Sequence, residues 1–407
     1  RSSAGGAAGR PRASVEKAMA ALRQARWEAD RPACYSSPKL RVMGVLPDPA
    51  ETADMMEHVD DVVNKLLYDS HYMGHAVTHL NPTWTSSLLT WKSRAKLGRV
   101  YWVIVLWSVI VVYVLEEIVG HEDGFPPDIA VYEDMQPIPL ILISVGLMFL
   151  VVFRTQTSYQ KWSQARTSWV NVNTASRELA MQSMVYVKDF DAACALVRYL
   201  LVFVLSLRFW LREEDLCDDL VRPLLTPAGL EYLKISFDGG ELQQKIETDP
   251  SLTVQFKKVC HPLPALEVMR GILDFCIESK SITSFQGVME SNFKVLSTAL
   301  ATMERVLDTQ IPFAYITHVR TAIVLYSLAI PFFLTVNVGW FTVLFVAFYC
   351  YVVMGLENLA VEIENPFGTD TNDLPMDSYC CQIARDIVDI VRRKKEVLVR
   401  LYEDGER

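Results

Sequence analysis

The sequence contains none of the short motifs that mark common enzyme chemistries. It has no glycine-rich phosphate-binding loop, no nucleophile elbow and no zinc-protease helix. Its eight cysteines lack the spacing of a metal site or a disulfide framework, and Cys380 and Cys381 are adjacent. We therefore expect a protein that is not an enzyme, uses no cofactor and keeps its thiols free or buried in a reducing compartment.

An excess of positive charge is also lacking. The chain has 407 residues and a formal net charge of −9, whereas surfaces that bind nucleic acid are basic. We find no convincing strand pattern and no internal repeat. Hydrophobic residues make up 51% of the chain, a high share for a soluble protein and a modest one for a dense transporter. This composition predicts an all-α protein that lies partly in a membrane and partly in water.

Four stretches are apolar enough to be membrane segments, which need about 20 apolar residues each. They lie at about 100–119, 137–153, 193–211 and 319–356, so we expect a multi-pass protein with about four transmembrane helices. Pro331 lies inside the last stretch and predicts two helices or one kinked helix, because proline removes a helical hydrogen bond. Buried helices of a soluble protein are the less favoured alternative.

The second stretch is the most informative. An unbroken apolar run from Leu140 to Phe153 leads directly into a polar, aromatic-rich sequence that includes Arg154, Tyr159 and Trp162. This junction predicts a membrane helix that extends into water. Lys and Arg flank the first two segments on one side, whereas residues 116–134 between them are acidic and contain no Lys or Arg. The two flanks are therefore expected to share the compartment that attracts positive loops.

The third stretch contains Arg198 and Arg208. Charges in a membrane segment are costly unless they face protein or water. One interpretation is an anion-attracting pair beside a conduit. The alternatives are that the stretch is not fully exposed to lipid, or that the two side chains snorkel to the interface.

Composition divides the rest of the chain. Residues 1–50 are expected to be a transit-like or disordered segment, because the first 13 are rich in Arg, Ser, Ala and Gly and contain no acid. Residues 51–99 are expected to be a helical or interfacial segment. The main domain is expected at 100–402, with aqueous helices at 212–318 and 366–402, where apolar residues recur at helical spacing.

Two clusters were considered as metal sites. His71, His75 and His79 would share one face of a helix, although a solvated or pH-sensitive surface explains them better. Asp370 and Asp373 follow the last membrane segment and are weak candidates for binding a cation, but a turn explains this region equally well. We expect no metal.

Three motifs together resemble the bestrophins, a family of anion channels. The first runs from Phe153 to Trp162, the second comprises Ile311-Pro312-Phe313-Ala314-Tyr315, and the third is Glu362-Ile-Glu-Asn365-Pro366-Phe367-Gly368. The resemblance spans roughly residues 82–402 in the same order. Its candidate motif residues are Arg154, Tyr159, Trp162, Pro312, Asn365, Pro366, Phe367 and Gly368.

The resemblance implies an all-helical homopentamer around a central pore. A hydrophobic neck would be lined by the second membrane helix, with the candidate residues Ile138, Leu142, Val145, Gly146 and Phe149. A second aperture would lie near Ile282 and Ser284. The acidic run that follows the Asn-Pro-Phe-Gly motif in calcium-gated relatives is reduced to Asp370 and Asp373, so the chain resembles the bacterial and plant-type branch.

The expected function is a passive anion channel that conducts chloride, bicarbonate or both. The transit-like start suggests a chloroplast location, with the thylakoid as the membrane of residence. Two other functions remain open: an ion-coupled bicarbonate transporter and a membrane scaffold that does not conduct. The expected partners are the permeating anions, the lipid bilayer and further copies of the chain, without nucleic acid.

Overall fold

A computed structural model describes residues 98–119, 138–214, 218–226, 229, 261–282, 286–370 and 372–405. The expectations for residues 1–50, for His71, His75 and His79, and for Ser284 lie outside this range. The described helices are α1 Arg99–Tyr113 with a π-helical turn Val114–Val119, α2 Ile138–Tyr186, α3 Phe190–Arg212, α4 Asp218–Val221 with a 3-10 turn Arg222–Leu224, α5 Leu263–Glu278, α6 Gln286–Asp308, α7 Phe313–Val338, α8 Phe341–Glu362 and α9 Met376–Gly405.

The all-α prediction is confirmed for the described residues. Within them, extended pairing is limited to a single antiparallel bridge between Val187 and Ile282. The predicted junction after Phe153 is also confirmed, because α2 continues without interruption from Ile138 to Tyr186, over 49 residues. At 1.5 Å per residue, such a helix is about 73 Å long. Its apolar beginning and its polar continuation are therefore parts of one helix.

The described residues form two compact units. The membrane-type unit comprises residues 98–167 and 302–374, and the core-helix unit comprises residues 168–301 and 375–405. In the membrane-type unit, one apolar cluster joins the beginning of α2 to α7 and α8 through Leu147, Val151, Val319, Ile323 and Val353. A second cluster contains Ile104, Ile330, Val346 and Cys350, from α1, α7 and α8. These four helices form one bundle.

The outer surface of this bundle is apolar. In the most apolar windows of α1, α2, α7 and α8, only 22–28% of the residues are buried. Trp102, Leu325 and Leu344 are each more than 60% exposed. Exposed apolar surface of this extent is costly in water and is typical of helices that meet lipid or other subunits. The bundle thus has the length and the surface of a membrane domain.

The last membrane stretch is two helices, but Pro331 does not divide them. Helix α7 continues through Pro331, and the chain turns at Gly339, whose φ is 56°. Membrane helices tolerate proline because nearby groups satisfy the freed backbone atoms. Glycine is favoured at position 339, since its backbone conformation is one that other residues rarely adopt. The prediction that Pro331 marks the division is therefore wrong.

Helix α3 differs from the other apolar helices. In its most apolar window 89% of the residues are buried, because α5 and α9 pack against it within the core-helix unit. The Asp189 side chain caps its first turn by accepting a hydrogen bond from the Asp191 N–H at 3.1 Å. Length and apolarity alone predict a membrane segment at 193–211. The burial favours the alternative left open above, that this stretch is not exposed to lipid.

The two arginines of α3 do not snorkel. Arg198 is 1% exposed, so its charge lies in the protein interior. Arg208 Nε is 2.6 Å from Asp377 Oδ1, and its Nη1 is 3.1 Å from Glu214 Oε2. Arg212 Nη1 is 2.7 Å from the second oxygen of Asp377. Acidic partners on α9 and beyond the end of α3 therefore balance the basic end of this helix, and Arg208 is not available to attract anions.

Candidate functional site

The predicted neck residues lie on the free face of α2. Leu142, Val145 and Phe149 are 74%, 63% and 68% exposed, whereas Leu147 and Val151 on the opposite face are 5% and 0% exposed. At about 100° per residue, the first three residues point within roughly 60° of one another and away from the bundle core. Within the described part of the chain, nothing covers these three large apolar side chains, which form a stripe. Such a stripe can line a water-excluding passage or contact another molecule.

The two further neck candidates are Ile138 and Gly146. Ile138 is the first residue of α2, and its side chain lies outside the description. Gly146 is exposed, and a Cβ built there meets no atom within 4 Å. Its direction differs from the middle of the stripe by roughly 70°. Of the two residues considered for this level of the neck, Val145 therefore lies in the stripe and Gly146 at its edge.

The three sequence motifs meet at a buried ionic network. Arg154, which is 1% exposed, places its Nη2 at 2.6 Å from Glu364 Oε2 and its Nη1 at 3.4 Å from the Ser158 hydroxyl. The other oxygen of Glu364 accepts a hydrogen bond from the Ile311 backbone N–H at 3.3 Å. It also lies 3.6 Å from Lys161 Nζ. The first, second and third motifs thus share one carboxylate.

This carboxylate is held in its charged form. Burial alone would raise the pKa of Glu364, but the hydrogen bond and charge of Arg154 oppose this, and the Ile311 N–H and Lys161 add to them. The net effect is a pKa below the ordinary value of a glutamate. Glu364 is therefore an anion that connects the end of α8 to α2 and to the start of α7.

A second carboxylate extends the network into the bundle. Glu357, only 5% exposed, accepts a hydrogen bond from Arg320 Nε at 3.0 Å, and its other oxygen lies 3.9 Å from Arg154 Nε. Sequence reasoning included Arg154 but missed the roles of Glu357, Glu364 and Arg320. The available signal was a charge of each sign in or beside a long apolar stretch, which is costly unless the two are paired.

The aromatic residues of the first motif have separate roles. Trp162 donates its indole N–H to the Asn372 carbonyl at 3.1 Å, and the Asn372 side chain donates to Glu362 at 2.8 Å. These bonds fasten α2 to the segment that follows α8. Tyr159 is 54% exposed and stacks on Trp162 with ring centroids 6.1 Å apart. Tyr159 thus covers the indole rather than binding a distant element.

The third motif forms a compact turn. Phe367 is fully buried, and the Pro366 carbonyl accepts a hydrogen bond from the Leu374 N–H at 2.9 Å. Asn365 has an exposed side chain whose oxygen accepts from the Phe367 N–H at 3.4 Å. A Cβ at Gly368 would lie 2.6 Å from a carboxylate oxygen of Asp373, so glycine is needed for this close approach. The motif therefore forms a hydrogen-bonded turn after α8.

The weak metal candidates belong to the same turn. Asp373 accepts the Asp370 N–H through its carboxylate at 2.7 Å, and its own N–H donates to the Asp370 carbonyl at 3.1 Å. Asp370 is exposed. Among the residues that the structure describes, no group of three or more His, Cys, Asp or Glu side chains is placed to hold a metal ion. The turn engages one oxygen, Oδ2, of the Asp373 carboxylate.

Two predicted positions lie at helix ends. Pro312 precedes α7, and its carbonyl accepts hydrogen bonds from the N–H groups of Tyr315 and Ile316 at 3.0 and 3.3 Å. Ile282, the candidate aperture residue, follows α5, is partly exposed and forms the bridge to Val187. The aperture therefore remains a prediction.

The sequence is similar to those of known proteins. A family described as "Bacterial/Fungal Bestrophin protein" matches residues 76–389. A voltage-dependent anion channel-forming protein of Nostoc sp. is 30% identical over 279 residues, which are 65% of this chain and 80% of that protein. A protein of the same description from Synechocystis sp. is 25% identical over 332 residues, 79% of this chain and 96% of that one.

Solved structures agree with the fold. A variant of a bacterial bestrophin homologue from Klebsiella pneumoniae matches with a TM-score of 0.56 and 25% identity. The match covers 72% of this chain and 97% of that structure. The family match, residues 76–389, includes the whole of α2 and all three motifs.

Proposed function

We propose that this chain, which belongs to the bestrophin family as its three motifs predicted, is the subunit of a passive anion channel and not an enzyme. The observation that carries the proposal is the apolar stripe of Leu142, Val145 and Phe149, which no other part of the described chain covers. The names of its relatives as anion channel-forming proteins support the same activity.

The stripe suits a neck in a homopentamer. One copy of an exposed apolar face cannot enclose a passage, whereas five copies arranged around an axis would surround one and remove the stripes from bulk water. An apolar constriction of this kind gates by dewetting and holds no ion tightly. Permeating anions would shed part of their hydration only briefly. Weakly hydrated anions are therefore expected to pass more readily than strongly hydrated ones.

Chloride and bicarbonate are the proposed substrates, and the chloroplast thylakoid is the proposed membrane. The support for the location is the Arg-, Ser- and Ala-rich composition of the first 13 residues. Both anions are small and singly charged, as a neutral apolar neck requires.

Neither alternative has a specific observation in its favour. A coupled transporter was considered because of Arg198 or the histidines as binding or titrating groups. Arg198 is buried in the core-helix unit, and the candidate histidines lie outside the described residues. A scaffold that does not conduct would use the uncovered stripe on α2 to contact another molecule, whereas the relatives are named as anion channel-forming proteins.

The test is planar-bilayer recording of the purified full chain in symmetric and asymmetric KCl, with bicarbonate replacing chloride in a second series. The matched variants are Leu142→Ala on the stripe and Leu344→Ala on α8, where the side chain is 66% exposed. Anion current that changes several-fold only in Leu142→Ala, in particles with five-fold symmetry, supports the proposal. Absence of anion current from the unsubstituted protein refutes it.

A further inference from the structure

The neck stripe of α2 has a polar counterpart farther along the same helix. Eighteen residues make about five turns of an α-helix, so two residues with this separation point in the same direction, about 27 Å apart. Adding 18 to the five candidate neck positions leads to five uncharged polar residues: Ile138 to Gln156, Leu142 to Gln160, Val145 to Ser163, Phe149 to Thr167 and, at the edge of the stripe, Gly146 to Gln164.

The burial along α2 shows that the faces keep their directions over these turns. Leu140 and Leu147 are buried, and so are Ser158 and Ala165, 18 residues beyond each of them. Gln156, Gln160 and Thr167 are exposed and Ser163 is partly exposed, and Leu142, Val145 and Phe149 are exposed before them. The free face of one helix thus changes from apolar to polar while the packed face stays packed.

The two glutamines have unused hydrogen-bonding groups. Within the described part of the chain, neither the Gln156 nor the Gln160 side chain makes a hydrogen bond. Thr167 donates its hydroxyl to the Ser163 carbonyl at 2.9 Å, which leaves the glutamine amides as the main donors on this face. By contrast, Gln164, at the side of the face, accepts a hydrogen bond from Arg305 at 3.2 Å.

The basic residues beside these glutamines face elsewhere and are paired. Arg154 is buried against Glu364, and Lys161 donates to the Thr309 carbonyl at 2.7 Å while it also approaches Glu364. The positive charges of Arg154 and Lys161 therefore interact with Glu364 in the same chain. The donors that this part of the free face offers to an anion are amide N–H groups.

From this arrangement we infer that Gln156 and Gln160 rehydrate and coordinate small inorganic anions directly after the apolar neck. This inference rests on the proposed channel function, because it places the free face of α2 along the conduit. Amide N–H groups bind an anion by hydrogen bonding without the strong attraction of a full charge. A neutral site of this kind accepts an anion that leaves the neck and releases it without trapping it.

Charge reversal at one position tests the inference. The full-length Gln160→Glu and Gln160→Lys variants are recorded in planar bilayers with asymmetric KCl, beside the unsubstituted protein and Gln164→Glu. Each carboxylate added at Gln160 would face the permeating anion, and five together should lower chloride conductance by about fivefold after screening. Gln160→Lys should instead raise the chloride-to-potassium permeability ratio. In Gln164→Glu the new carboxylate pairs with Arg305, so conductance should stay within about 1.5-fold of the unsubstituted value.

The outcomes separate the inference from the channel function. An unsubstituted protein that conducts, with Gln160→Glu and Gln160→Lys shifting selectivity in opposite directions, supports the inference. A conducting protein in which both variants assemble normally and behave as Gln164→Glu does would overturn the inference and leave the channel intact. If Gln160→Glu does not assemble, an unchanged permeability ratio in Gln160→Lys overturns it as well. An unsubstituted protein that carries no anion current removes both proposals.

Discussion

Glu364→Gln is the most direct test of the ionic network that joins the three motifs. The change keeps the shape of the side chain and one oxygen that can accept from Ile311, but it removes the negative charge beside Arg154. Arg154 is 1% exposed and would keep only the Glu357 carboxylate, at 3.9 Å. A buried charge that has lost its partner is strongly destabilising.

The expected magnitude follows from this burial. Removing one partner of a buried ion pair costs about 3–5 kcal/mol. We expect the lower end, about 3 kcal/mol, because the Glu364 side chain is 19% exposed and Glu357 remains in place. The matched control is Glu290→Gln, which breaks a 2.9 Å pair with Arg270 whose side chains are 53% and 47% exposed. An exposed pair of this kind contributes only about 0.5 kcal/mol.

Unfolding of the purified protein in detergent, followed by tryptophan fluorescence, measures both effects. The pH dependence gives a second readout. Since the pKa of Glu364 is lower in the folded protein, its stabilising contribution is full above the unfolded value of about 4.3 and is lost as the pH falls through the folded value. The stability difference between unsubstituted protein and Glu364→Gln should thus shrink below about pH 4.3. Equal destabilisation by both substitutions, or a difference that does not change with pH, would refute the reasoning.

Three further outcomes are expected. Leu147→Ala should lower the free energy of unfolding by about 2–5 kcal/mol, because it leaves a cavity at a buried site. Leu142→Ala, on the free face of the same helix, should leave the free energy of unfolding of the subunit nearly unchanged. Gly339→Ala should destabilise by about 1–3 kcal/mol because of its positive φ, while Gly355→Ala, where a Cβ meets nothing within 4 Å, should be neutral or stabilising by up to about 1 kcal/mol. Burial raises the pKa of the Cys276 thiol to about 12, so iodoacetamide at pH 8 should label Cys276 only after unfolding, as peptide mapping by mass spectrometry would detect.

The parts of the fold that depend on long local patterns were predictable. The apolar run and the polar continuation of α2 lie in one uninterrupted segment, so periodicity and composition indicated a single helix. The stripe of Leu142, Val145 and Phe149 came from the resemblance to the bestrophins together with helical spacing, and its place in a pore stays a prediction. The predicted division at Pro331 was wrong because proline breaks isolated helices but lies inside α7 here. The actual break depends on a positive φ at Gly339, which the residue pattern does not indicate.

Apolarity alone did not distinguish the surroundings of α3 from those of the other apolar helices. A helix covered by lipid and a helix covered by protein can be equally apolar. Only the packing of α5 and α9 against α3 shows that protein covers this helix. The same limit applies to the ionic network. Arg154 and Glu364 are 210 residues apart, and their pairing depends on how α2 and the end of α8 pack. Charges inside apolar stretches indicated that partners existed but not which residues they were.

The ionic network also constrains how an anion can be attracted. Arg154, Lys161 and Arg320 lie against the two carboxylates of Glu357 and Glu364. A lysine in place of Arg154 would be a single point charge and could not reach Glu364, Ser158 and Glu357 from one planar group. The arginine at position 154 is therefore explained by its contacts. In the proposed channel, the neutral dipoles on the free face of α2 would favour rapid passage of anions over tight binding.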